Sequence, residues 1–124
     1  MKTIHTDRAP AAVGPYSPAV VANGFVYCSG QIGIDLKTGE LAQGLEKQIA
    51  LVLSHLAALL EAAGSDVDHV VKTTIFITDM NDYAKVNELY ATVFSNNKPA
   101  RATVAVAALP KGALVEIEAV ALLT

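Results

Sequence analysis

The chain has 124 residues, of which 52% are apolar and 17% charged, with a net charge of −3 and one cysteine. That length fits a single domain, residues 1–124, with a core of its own. The net acidic balance argues against a phosphate-backbone binder, which needs a basic face, and against a polybasic membrane anchor.

A lone cysteine, Cys28, excludes an intrachain disulfide and fits a reducing, cytoplasmic compartment. The N-terminal residues lack the apolar region of a secretory signal, and no apolar run approaches the ~18 residues of a membrane span. The apolar share exceeds, and the charged share falls below, the roughly 45–50% and 25% of average globular chains. This predicts that some apolar surface is covered by oligomerisation.

In chain order, a short strand at residues 2–5 is followed by two strands within residues 19–30, around Asn23-Gly24, a strong hairpin dipeptide. A second turn lies at Asp35–Gly39. Leu45, Ile49, Val52, Leu53, Leu56, Leu60 and Ala63 then recur mostly every three or four residues, which predicts one face of a long helix stopped by Gly64. Residues 70–78 are rich in β-branched side chains and read as a strand, with Val71, Thr73, Ile75 and Ile77 on one face. Asp79 or Asn81 is a candidate cap for a second helix, whose apolar face would be Tyr83, Val86, Tyr90 and Val93. Pro99 breaks that helix. Two long strands follow, Ala102–Leu109 and residues 114–123, joined by Pro110-Lys111-Gly112. The order β-β-β-α-β-α-β-β reads as α+β, one sheet with two helices on one face. The strand from Ala102 is apolar on both faces, so a second subunit is expected to cover the face without helices.

Metal binding finds no support in the pattern: His5, His55 and His69 fall on different elements at no ligand spacing. No phosphate-binding glycine motif is present, since Gly30-Gln31-Ile32-Gly33 opens no helix. Ser29 and Cys28 have no nearby base that would make either a nucleophile. The unusual residue is Arg101, a cation at the head of an apolar strand, with Thr103 on its face. On the last strand Glu116 and Glu118 share a face with Leu114, Val120 and Leu122. Successive strands often lie side by side, so a structural Arg–Glu pair and an anion-gripping cleft both fit.

Gly14-Pro15-Tyr16-Ser17, Ser29-Gly30-Gln31-Ile32, the run from Val71 to Asn87, Pro99-Ala100-Arg101 and the run from Leu109 to Leu122 stand in the order of a known family. Over essentially its whole length the chain resembles the Rid family, the YjgF-like reactive intermediate deaminases, and most closely the RidA branch. The resemblance implies a chorismate-mutase-like α+β fold with one mixed sheet and two helices on one face. It also implies a homotrimer with a central β-barrel and a ligand cleft at each subunit interface. The implied activity is hydrolysis of 2-imino acids, such as 2-iminobutanoate and 2-iminopropanoate, to 2-oxo acids and ammonia. That reaction needs no cofactor or metal, and it protects PLP enzymes from these reactive compounds.

By motif, Arg101 would hold the substrate carboxylate and Glu116 the attacking water. Tyr16, from a neighbouring subunit, would line the cleft, Ser29, Gly30 and Asn87 would shape it, and the Thr103 backbone would bond ligand. Many relatives carry cysteine at the position of Thr103, so any thiol-dependent role is not expected here. Glu118 is expected to be structural. The alternative is a trimeric module that binds 2-oxo acids or other carboxylates to regulate a partner; it needs Arg101 but not Glu116. Neither reading takes nucleic acid as main partner or involves a membrane.

Overall fold

The structure is a computed structural model that describes residues 1–124. Its eight elements are β1 (Lys2–Ile4), β2 (Ala19–Ala22), β3 (Phe25–Gln31), α1 (Leu45–Ala63), β4 (Val70–Ile77), α2 (Tyr83–Tyr90), β5 (Ala100–Ala105) and β6 (Val115–Leu122). The strands form one mixed sheet in the order β1-β2-β3-β6-β4-β5. The hairpin between β2 and β3 turns on Asn23 and Gly24, both at positive φ (51° and 80°), the geometry that matches strand twist in a two-residue loop.

Helix α1 lays Ile49, Val52, Leu53, Leu56, Leu59 and Leu60 on the sheet, where they meet Val26, Ile75, Ile77, Val115 and Ile117 in one buried cluster. Each such side chain contributes on the order of 1.5–3 kcal/mol. Gly64 ends the helix, its N–H reaching the carbonyls of Glu61 and Leu60. Gln48 ties the first turn of α1 to the sheet: its amide donates to the Ala42 carbonyl at 3.0 Å and accepts from the Leu114 N–H at 2.8 Å. Asp79 caps the short turn (Met80–Asp82) that leads into α2, accepting from the Asn81 N–H at 2.9 Å.

Three expectations are corrected. Val71 does not join the buried face, because the β4–β6 register slips between Val70 and Lys72; Val70 is buried in its place and Val71 is exposed. The strand at Arg101 runs from Ala100 to Ala105 and stops there, short of Leu109. Most consequentially, β5 and β6 are not neighbours. Helix α2 carries the chain back over the sheet, so β5 pairs with β4 in parallel at the edge, while β6 lies on the other side of β4.

His55 is fully buried on α1. Its Nε2 donates to the Ile34 carbonyl at 2.8 Å, and its Nδ1 has no partner. Burial pulls its pKa below the ordinary imidazole value of about 6.5, offset only in part by the backbone bond. A base whose folded pKa lies below its unfolded one binds its proton more readily in the unfolded chain. The contribution to stability is therefore complete above about pH 6.5 and is lost as pH falls from there toward the lower folded pKa. The melting temperature should drop below pH 6.5, and the drop should be smaller in His55→Gln. Equal slopes for the two proteins in thermal melts from pH 8 to 5 would refute this.

Candidate active site

The sheet has two unlike faces. Thr73, Ile75 and Ile77 of β4 and Val115, Ile117 and Ala119 of β6 are in register and face the helices. Their neighbours Thr74, Phe76, Glu116, Glu118 and Val120 face away. Continuing the register, Arg101 and Thr103 of β5 pair with Thr73 and Ile75 and point to the helix side. Arg101 and Glu116 of one chain therefore lie on opposite faces, and the structure resolves the sequence-predicted residues into two groups.

The first group surrounds Glu116. The β3–β6 register shifts between Cys28 and Gln31, so Ser29 and Gly30 sit in an irregular stretch of β3. Such a kink re-aims the chain, and Gly30 brings bare backbone under the Glu116 carboxylate. A Cβ on Gly30 would stand 2.8 Å from Glu116 Cδ and Oε2. Ser29 is a clip: its hydroxyl donates to the Ser17 carbonyl at 2.6 Å and its N–H to that of Pro18 at 2.9 Å. This fastens the segment bearing Tyr16, which is half exposed. Tyr16, Pro18, Gly30, Ile32, Pro110 and Glu116 are among the walls of an open cleft of about 380 Å³. Burial, and then the charge of Glu118, raises the Glu116 pKa above the usual carboxylate value. Glu118 itself is exposed. Cys28, close by in β3, is buried, which pushes its thiol up to about 12 and leaves it a core residue without thiolate chemistry.

The second group surrounds Arg101. No carboxylate pairs with it; the ion pairs of the chain are Arg8–Glu61, His69–Asp66 and Lys85 with Glu46 and Glu88. Arg101 Nη2 instead donates to the Tyr83 hydroxyl at 3.0 Å, and its guanidinium carbon lies 5.0 Å from the centre of the Tyr90 ring. The Tyr90 hydroxyl is shared with Thr73 Oγ1 at 2.8 Å, within the core. Asn87 and then Arg101 draw the Tyr83 hydroxyl below the ordinary phenol pKa, and Asn87, four residues after Tyr83 on α2, lies on the same side of that helix. Thr103 follows Arg101 on the same face.

Tyr83 is a correction to the apolar face expected for α2. Val86 and Tyr90 are buried there, whereas Tyr83 is 40% exposed. Helical spacing could not separate a tyrosine turned to a guanidinium from one turned to the core; its place in the first turn, beside the start of β5, is a tertiary fact.

The family model described as Endoribonuclease L-PSP matches residues 6–123. The chain belongs to this family, which is the Rid family. A mouse protein named 2-iminobutanoate/2-iminopropanoate deaminase is 50% identical over 121 residues, 97% of this chain and 90% of that one. The solved structure of RidA from an Antarctic Psychrobacter is 47% identical, with a TM-score of 0.96 over 99% of this chain and all of that one. E. coli TdcF, solved with bound serine, is 42% identical with a TM-score of 0.95 over the full length of both chains. The mixed α+β fold, with one sheet and two helices, is thus the Rid fold.

Proposed function

We propose that this Rid-family chain, acting as one domain over residues 1–124, hydrolyses 2-imino acids to 2-oxo acids and ammonia, with 2-iminobutanoate and 2-iminopropanoate as substrates. The observation that carries the reading is Arg101: a guanidinium with no acidic partner, in a chain half identical to a protein named as such a deaminase. Serine bound to TdcF, itself a carboxylate, is in keeping with an anion site in this fold.

In the reaction, Arg101 takes the substrate carboxylate in a bidentate grip and so fixes the imine carbon. Glu116, its pKa raised, accepts a proton from a water that attacks this carbon. With the imine protonated, attack gives a neutral carbinolamine. Glu116 returns its proton to the nitrogen, then takes the hydroxyl proton as the C–N bond breaks, and ammonia and the 2-oxo acid leave while Glu116 gives that proton to solvent. Tyr16, Ser29 and Gly30 shape the Glu116 side, and Asn87 and the Thr103 backbone the Arg101 side.

Because Arg101 and Glu116 lie on opposite faces of one sheet, this mechanism requires the Arg101 of one copy to meet the Glu116 of another. The face without helices carries Tyr27, Phe76, Val104, Val120 and Leu122, an apolar surface suited to a second copy. We assign the assembly as a homotrimer with a central β-barrel and intersubunit clefts. Its cellular role would be to remove imines that damage PLP enzymes. The net charge of −3 weighs against RNA as main substrate.

The test couples a threonine dehydratase to this protein and follows 2-oxobutanoate, with semicarbazide trapping free imine. Accelerated release and less semicarbazone are expected. No acceleration at micromolar protein would shift the reading to a carboxylate-binding module. Gly30→Ala should displace the flexible Glu116 side chain and reduce kcat by up to about a hundredfold. An unchanged kcat would show that the placement of Glu116 over Gly30 is immaterial.

A further inference from the structure

We propose that Tyr83 is a positioning residue for substrate binding: its hydroxyl holds the Arg101 guanidinium so that the remaining N–H edge faces the substrate carboxylate. The proposal rests on the reading of Arg101 as carboxylate anchor. Three contacts hold the guanidinium: the Tyr90 ring at 5.0 Å, the Tyr83 ring at 5.7 Å and the Tyr83 oxygen, 3.0 Å from Nη2. Tyr90 is itself immobilised by its bond to Thr73.

The chemistry of the partner matters. A carboxylate in the place of Tyr83 would neutralise the cation and compete with the substrate. A neutral phenol accepts one N–H and leaves the charge and the other donors free. It also spares part of the rotamer freedom that an arginine otherwise loses when it grips a ligand. Tyr83 leaves 40% of its surface exposed on a helix whose Val86 and Tyr90 are buried, so packing alone does not explain its placement. Its contacts with Arg101, through ring and hydroxyl, do, and only the hydroxyl gives the guanidinium a directional bond.

Tyr83→Phe keeps the ring and removes the oxygen. Wild type, Tyr83→Phe and Arg101→Ala are compared in imine hydrolysis, in calorimetric binding of 2-oxobutanoate, and in melting temperature. In Tyr83→Phe, KM and the 2-oxobutanoate Kd should rise together by roughly five- to twentyfold, the loss of one bond to a charged group in a partly exposed site. Its kcat should stay within about twofold of wild type, since an oriented anchor lost before chemistry is uniform binding lost. Unchanged KM and Kd in Tyr83→Phe, with both lost in Arg101→Ala, would overturn the role of Tyr83 alone. A fall in kcat together with melting temperature would reduce Tyr83 to packing and overturn it as well. A wild-type protein that neither hydrolyses imine nor binds 2-oxobutanoate would overturn the Arg101 reading, and this proposal with it.

Discussion

Glu116→Ala should abolish imine hydrolysis, lowering kcat by about 10²–10⁴-fold, the usual worth of a positioned general base. Binding of 2-oxobutanoate should survive, because the proposed mechanism gives the carboxylate to Arg101, on the opposite face of the sheet. The pH profile gives a second check. Glu116 must be ionised to accept a proton, and burial together with Glu118 raises its pKa. The acid limb of kcat/KM should therefore lie above the ordinary carboxylate value, near 4.3 for a free glutamate. Glu118→Gln removes the like charge and should move that limb to lower pH without abolishing activity. Full activity in Glu116→Ala would leave carboxylate binding without the assigned chemistry.

Arg101→Ala should cost about 2–4 kcal/mol in kcat/KM, the loss of a charged grip on a desolvated anion. The Tyr83 hydroxyl would lose its partner at the same time. The separation of Arg101 and Glu116 on opposite faces then makes a sharper experiment available. Arg101→Ala and Glu116→Ala proteins, each inactive, should complement when unfolded together and refolded. In a random equal mixture of a cyclic assembly, about a quarter of the clefts receive an intact arginine from one subunit and an intact glutamate from the next. Activity should recover to roughly that fraction. No recovery in a mixture shown by native mass spectrometry to contain hetero-oligomers would mean that both residues act from one chain. A protein that scatters light as a monomer would defeat the intersubunit cleft outright.

Much of the fold could be read along the chain. The three-to-four spacing from Leu45 to Ala63 marked α1, with Gly64 as its stop, and Asn23-Gly24 marked the hairpin. Asp79 was legible as a cap, but it caps the short turn before α2, and α2 itself starts after Asp82 with no side-chain cap. The alternation that set Arg101 with Thr103, and Glu116 with Glu118, also holds in the structure. Both outlying residues, the cation and the glutamate in apolar strands, stood out from sequence because each violates the pattern of its own element.

What escaped was everything that depends on a second element. The face of Val71 was misread because a bulge costs one unpaired residue on one strand and is specified by the partner strand, not by the local pattern. The adjacency of β5 and β6 was misread for a similar reason. A short Pro110–Gly112 connection resembles a hairpin, yet α2 had already carried β5 to the edge beside β4.

The sequence by itself determined the order of the elements, most of their faces and the chemical oddity of Arg101 and Glu116, because side-chain periodicity and turn chemistry are local properties. Only the tertiary structure decided that β4 stands between β5 and β6, that Arg101 leans on Tyr83 and Tyr90 and on no acid, and that Glu116 rests on Gly30 across the sheet. These follow from non-local strand pairing and from the helix that crosses between β4 and β5, which no window of residues encodes.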